Sequence, residues 1–169
     1  MTRRPQPNPD YSLKIPGPKG SDEDLILETT IPYQINRLAH HMNRLLEDEL
    51  AQFGLSITKW RILAVLDFNS SATVNQLADY AMVEQSTLSR MLSRMERDGD
   101  IENRLAETDR RVRNIVLTKQ GKRKYKLVRG LTLTHVSRIV DGFSRKDQDK
   151  LLELIQHMQA NVAAHELAK

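Results

Sequence analysis

Between residues 86 and 97 the chain sets Ser86, Thr87, Ser89, Arg90, Ser93, Arg94 and Arg97 mostly three and four residues apart. Side chains at those steps share one face of a helix. Short hydroxyls let a helix approach a ligand closely, and they bond phosphates or base edges. Arg90 and Arg94, one turn apart, reach guanine edges or phosphates from the same side. Small polar groups at the leading end with long cations behind are what insertion into a nucleic-acid groove requires. A second cluster follows at Asp109-Arg110-Arg111, with Arg113 just after, so that three cations fall within five residues. An arginine at a protruding tip can enter the narrow minor groove, where the negative potential is greatest. Asp109 repels phosphate, so its expected role is internal: orienting a neighbouring arginine through a charge-assisted bond. Taken singly, each cluster also fits a plainer reading, a solvated helix face or a turn with chance charges.

The elements around these clusters decide between the readings. Thr73-Val-Asn-Gln76 fits the capping box, in which the Thr hydroxyl and the Gln side chain satisfy free N–H groups reciprocally. It predicts a helix whose inner face is Val74, Leu77, Ala78 and Ala81. A short connection at Met82–Gln85 leads to a fourth helix with Leu88, Met91, Leu92 and Met95 on its apolar face, ended by Asp98-Gly99. The period then shortens to that of strands at Ile101–Leu105 and Val112–Leu117, joined by a polar loop at Ala106–Arg111. Two short helices joined by a tight turn, then a hairpin, make a winged helix-turn-helix, whose second helix enters the DNA major groove. Upstream, Ile31, Ile35, Leu38, Met42, Leu45, Leu46, Leu50 and Phe53 predict an amphipathic first helix stopped by Gly54. A second runs from about Ser56 through Trp60, Ile62, Leu63 and Leu66. Downstream, Thr118 opens a fifth helix carrying Leu127, Val128, Leu131, Val136, Ile139 and Val140, ending near Gly142. Ser144-Arg-Lys-Asp147 starts a sixth, with Leu151, Leu154, Ile155, Met158 and Val162. The expected fold class is mainly α with a small β-hairpin wing. A winged helix-turn-helix at about 55–118 is joined to a helical dimerisation region of N- and C-terminal helices, at about 30–53 and 119–165.

Composition bounds the rest. The chain has 169 residues, suited to one compact domain. Its net charge of +4 is uneven. Residues 84–126 hold twelve basic and seven acidic side chains, whereas residues 21–83 hold four and nine. Such a localised basic segment suits a polyanion. Five of the six prolines (Pro5, Pro7, Pro9, Pro16, Pro18) fall before residue 20, so residues 1–28 read as an extended or disordered arm ahead of a domain at 29–169. There is no cysteine, which excludes disulfides, Cys-based zinc sites and thiol redox sensing. No apolar run is long enough to cross a membrane, and Arg3 and Arg4 are followed by no apolar core, so no signal peptide is read. A cytoplasmic protein without membrane association is expected.

The run Leu77-Ala78, Val83, Ser86-Thr87-Leu88-Ser89-Arg90-Met91-Leu92, Met95-Glu96-Arg97-Asp98-Gly99, Asp109-Arg110-Arg111, Val116-Leu117-Thr118 and Gly121 resembles the MarR family of bacterial transcription regulators. Leu55-Ser56-Ile57-Thr58-Lys59-Trp60-Arg61-Ile62-Leu63 is similar to that family's second helix. The resemblance covers roughly Thr30 to the C-terminus and is specific through residues 73–121. The proline-rich arm lies outside the shared pattern, and Asp100 departs from it, since the family often has an apolar residue there; that departure could shift the start of the wing strand. The resemblance implies a homodimer held by the first, fifth and sixth helices, each subunit presenting one winged element. By position, Ser86, Thr87, Ser89, Arg90 and Arg94 match recognition-helix contacts with DNA. Arg111 matches the arginine that enters the minor groove, and Asp109 the aspartate that braces it; Arg110 and Arg113 complete the expected tip. The long terminal helices agree independently, because each has an apolar seam wider than a 169-residue monomer easily covers. Two-fold symmetry then predicts a palindromic double-stranded operator with half-sites about one helical turn apart.

The resemblance also implies a repressor released from DNA by a small molecule bound between the dimer and winged regions. The ligand must favour the spacing of recognition helices that does not fit DNA. On the first helix Arg37, His40, His41 and Arg44 include three- and four-residue spacings, and Trp60 could supply an aromatic wall. Cations beside an aromatic ring suit an aromatic carboxylate or an aromatic acyl coenzyme A thioester. The plainer readings are a solvated or dimer-contact face and a core tryptophan. No metal site is expected: His40 and His41 are adjacent and point apart, and His135, His157 and His165 form no close-spaced pair. No cofactor and no enzyme are expected, since no G-x-S-x-G elbow, glycine-rich phosphate loop or paired-carboxylate motif occurs. The remaining alternative is a non-specific DNA-binding structural protein without an effector, which needs basic charge but no readout groups.

Overall fold

The computed structural model describes residues 14–15, 25–26, 29–105 and 113–167. In chain order these form β1 (Lys14–Ile15), β2 (Leu25–Ile26), α1 (Ile31–Ala51), α2 (Ile57–Asn69), α3 (Val74–Ala81), α4 (Gln85–Arg97), β3 (Ile101–Leu105), β4 (Arg113–Leu117), α5 (Lys119–Ile139) and α6 (Arg145–Leu167). The chain divides into two compact units, residues 1–57 and 58–169. In the first unit β1 pairs antiparallel with β2, Lys14 opposite Ile26 and Ile15 opposite Leu25. Part of the segment read as an irregular arm is therefore a short hairpin. Two-residue strands carry no periodic signal, which is why the pairing could not be read from the sequence. In α1, Pro32 sits in the first turn, where its missing N–H would have had no helical partner. Ile31, Ile35, Leu38 and Leu45 stay exposed.

The second unit is organised around α4. Its Leu88, Leu92 and Met95 are buried together with Ile62, Leu63 and Leu66 of α2 and Leu77 and Ala81 of α3. The capping box at α3 is present in full: Thr73 N–H donates to Gln76 Oε1 at 2.9 Å, and Gln76 N–H to Thr73 Oγ1 at 3.3 Å. The tight turn into α4 places Met82 at φ 57°, a left-handed conformation that costs a non-glycine residue energy and is held by the packed helices on either side. Gly99, at φ +75°, makes the turn out of α4 without that cost.

β3 and β4 pair antiparallel, from Ile101 opposite Leu117 to Leu105 opposite Arg113. Ile101, Ile115 and Leu117 face inward. The second strand is described from Arg113; Val112, where the apolar pattern starts it, lies outside the described residues. Ala72 adds a bridge to Ile115, with N···O distances of 3.1 and 2.9 Å in the two directions, so the hairpin is tied back to the start of α3. Asp100 does not displace the strand, which starts at Ile101.

α5 buries a strip that the sequence reading did not specify. The buried residues are Gly121, Val128, Thr132 and His135, of which only Val128 belongs to the apolar run. Leu127, Val136 and Ile139 are exposed, as expected of a seam wider than one chain covers. Its own chain covers α5 only along one narrow side, and the apolar seam lies beside that strip. In α6, Ser144 and Asp147 cap the first turn reciprocally: Asp147 N–H donates to Ser144 Oγ at 3.2 Å and Ser144 N–H to Asp147 Oδ2 at 3.1 Å. None of its described side chains is buried. No helix among the described residues is long and apolar enough to cross a membrane.

Candidate nucleic-acid interface

The apolar period of α4 turns Leu88, Leu92 and Met95 inward, and this forces Ser86, Thr87, Ser89, Arg90, Ser93, Arg94 and Arg97 outward, where all seven are exposed. Hydrogen bonds pre-set part of this face. Ser89 Oγ donates to the Gln85 carbonyl at 2.9 Å and Ser93 Oγ to the Ser89 carbonyl at 3.0 Å. With their protons committed to the backbone, both oxygens present lone pairs outward. Arg90 Nε donates to the Ser86 carbonyl and Arg97 Nε to the Ser93 carbonyl, each at 3.4 Å, which lays the two stems along the helix and leaves the other guanidinium N–H groups available. Ser89, Arg90, Ser93, Arg94 and Arg97 line an open concavity of about 410 Å³ on this face. The helix thus offers hydroxyl acceptors beside guanidinium donors, a mixture able to distinguish base edges as well as to bind phosphate.

The supporting residues were not singled out by spacing. Arg61 Nη1 donates to the Ala81 carbonyl at 3.3 Å, fixing the end of α3 to α2. Gln85 Nε2 donates to Asn75 Oδ1 at 3.1 Å, spanning the turn between α3 and α4. Lys59 Nζ lies 3.6 Å from Asp98 Oδ2 and ties α2 to the end of α4. Asn103 Nδ2 donates to Glu96 Oε1 at 2.9 Å, joining β3 to α4. Each partner is a common surface residue type, and only the fold brings it to its acceptor.

Asp109, Arg110 and Arg111 lie outside the described residues. Arg113 opens β4, and only its backbone is described. Arg37, His40, His41 and Arg44 are exposed on α1 in the first unit. Contrary to the expectation that they point apart, the rings of His40 and His41 meet edge-on with centroids 5.7 Å apart. Among the described residues no group of three or more His, Cys, Asp or Glu side chains could hold a metal ion. Trp60, in the second unit, is half-buried. Its Nε1 is buried and finds no hydrogen-bond acceptor among the described residues.

A family model described as the MarR family matches residues 53–112 of the chain. A solved structure of a transcriptional regulator of the MarR family from Silicibacter pomeroyi is 30% identical, superposes with a TM-score of 0.71, and is matched over 80% of this chain and 92% of that one. The uncharacterised HTH-type transcriptional regulator YwoH of Bacillus subtilis is 29% identical over 126 residues, 75% of this chain and 88% of YwoH. The HTH-type transcriptional repressor IacR of Pseudomonas putida is 24% identical over 124 residues, 72% of each chain.

Proposed function

The chain is a transcriptional regulator belonging to the MarR family, and on that footing we propose that it acts as a cytoplasmic homodimer whose two copies of α4 read a palindromic DNA operator. It represses the adjoining genes until an organic effector releases it. One observation carries the reading. α4 is sealed against its own core on one side, and on the other Ser86, Thr87, Ser89, Arg90, Ser93, Arg94 and Arg97 stand exposed together, in a unit that also carries the hairpin. In this reading Ser86, Thr87, Ser89, Arg90 and Arg94 enter the major groove. Asp109, Arg110, Arg111 and Arg113 form the wing contact, residues 55–118 form the reading head, and α1, α5 and α6 form the pairing region. The uncovered apolar side chains of α5 and α6, Leu127, Leu133, Val136, Leu151, Leu152 and Leu154 among them, support pairing with a second copy. The similarity to a repressor supports the sign of control.

Selection from a random duplex library with the purified full chain tests this reading. The expected product is a two-fold symmetric motif bound by a dimer. No enriched motif, with equal binding to unrelated duplex and heparin, would instead establish the non-specific structural alternative.

For the effector the orphaned indole N–H is the supporting observation. A buried donor without an acceptor is costly, and a ligand oxygen would relieve it. That favours an aromatic carboxylate or its coenzyme A thioester lodged against Trp60. The exposed cations of α1, Arg37 and Arg44 with His40 and His41, are a separate candidate for the anionic end. Trp60 is the sole tryptophan, so intrinsic fluorescence reports on it directly. Titration with benzoate and benzoyl-coenzyme A is expected to shift the emission and to release operator DNA at the same concentration. Release without any spectral change would move the effector site away from Trp60, and an Arg37→Ala variant would then test α1.

A further inference from the structure

We propose that the buried Asp100–Lys124 ion pair is a positioning device that holds α5 in one register against the end of α4, and so sets the half-site spacing the regulator accepts. The inference rests on the dimeric, DNA-reading function proposed above.

Asp100 is fully buried, with 0% exposure. Its carboxylate is satisfied entirely from α5: Lys124 Nζ lies 2.6 Å from Oδ1 and 2.8 Å from Oδ2, and Gln120 Nε2 donates to Oδ1 at 3.1 Å. Its backbone is tied to both neighbours. The N–H donates to the Met95 carbonyl of α4 at 2.9 Å, and the carbonyl accepts from Thr118 N–H, at the start of α5, at 3.1 Å. Thr118 Oγ1 donates to the Gly99 carbonyl at 2.6 Å, and Gln120 Nε2 also reaches the Asp98 carbonyl at 2.6 Å. The approach has no side-chain cushion at its centre, because a Cβ built on Gly121 would stand 2.0 Å from the Asp100 carbonyl oxygen.

Apolar contacts between helices tolerate sliding, since one methyl group replaces another at little cost. A buried carboxylate does not. Moving α5 by a fraction of a turn takes Lys124 and Gln120 away and leaves a charge without water or a partner. Such a pair adds little net stability compared with apolar residues of the same volume; what it confers is a single permitted arrangement. Here that arrangement joins the element that reads, α4, to one that carries an uncovered apolar seam, α5. A further tie at the end of α4, Lys59 to Asp98, is longer at 3.6 Å and its carboxylate is 44% exposed, so it constrains less. In a dimer built on α5, any looseness at Asp100 becomes looseness in the distance between the two reading helices. One base pair of extra spacing moves a half-site by about 3.4 Å and turns it by about 35°, more than a fixed joint can follow.

The experiment takes the half-site selected by the wild-type chain and measures affinity for duplexes whose two copies differ in spacing by one base pair either way. The wild type is expected to disfavour the altered spacings by about tenfold or more. The double variant Asp100→Leu/Lys124→Met keeps the joint filled and uncharged. It is expected to keep its thermal stability and bind the preferred spacing within about threefold of wild type, while its penalty for altered spacing falls to about threefold or less. A purely structural role would lower affinity for all spacings together and leave the ratio untouched. Should the double variant not fold, Lys124→Gln alone, at a partly exposed position, carries the same measurement. An unchanged spacing penalty in the folded variant overturns the proposal, as does a wild type with no spacing preference. A wild type that selects no duplex overturns the functional reading itself, which is a separate result.

Discussion

α4 and α6 are both amphipathic, yet the chain treats them oppositely. The thirteen residues of α4 bury Leu88, Leu92 and Met95 completely or nearly so and expose only polar groups between them. The twenty-three residues of α6 bury none of their described side chains, although Leu151, Leu154, Ile155 and Val162 recur at helical steps. The apolar side of α4 is finished within one chain, so its outward face is free to bind something polar. The apolar side of α6 is unfinished, which fits the proposed pairing with a second copy. The same period therefore has two meanings, and coverage by the rest of the chain distinguishes them.

Truncation separates the two helices most sharply. Leu88→Ala is expected to cost about 2–5 kcal/mol in urea unfolding, because it leaves a cavity in a packed core. Leu154→Ala is expected to cost under about 1 kcal/mol at high dilution, with a loss that grows as concentration rises and pairing contributes. Equal costs at high dilution would erase the distinction between a finished and an unfinished face.

Arg94→Ala tests the free face of α4. Operator affinity is expected to fall by about 1–3 kcal/mol while unfolding stability changes by less than about 0.5 kcal/mol. The salt dependence of binding distinguishes its target: a slope reduced by about one marks a phosphate contact, whereas relaxed selectivity at one position marks a base contact. A stability loss matching the affinity loss would mean that Arg94 supports the fold and not the interface.

The smallest effect sharpens the comparison at the turn. Thr73→Ala removes the α3 cap and is expected to cost about 1 kcal/mol of stability. DNA affinity at fixed salt should fall only as far as the helix pair loosens. A larger effect on DNA binding than on unfolding would place Thr73 in the interface itself.

Much of this organisation was legible beforehand. The capping box at Thr73, the stop at Asp98-Gly99 and the outward row from Ser86 to Arg97 follow from spacings of three and four residues. The apolar seam of α5 was read as wider than one chain covers, and Leu127, Val136 and Ile139 are exposed accordingly. Which polar residues of α5 are buried was not read, because periodicity ranks side chains by apolarity alone. It cannot say that Thr132 and His135 are buried while Leu127 and Val136 remain outside. Asp100 stood out only as an oddity of type. Nothing in the spacing connects it to Lys124, twenty-four residues later.

Helix starts, stops and faces depend on hydrogen bonds and side chains within about one turn, so the order of residues alone settles them. That order established α3, α4 and the outward row of hydroxyl and guanidinium groups on α4. Which apolar seams are covered, what neutralises a buried carboxylate, and that Ala72 pairs with Ile115 depend on groups distant along the chain arriving at one place. Those outcomes belong to the tertiary structure, because burial and desolvation are properties of a surrounding volume and not of a local stretch of chain.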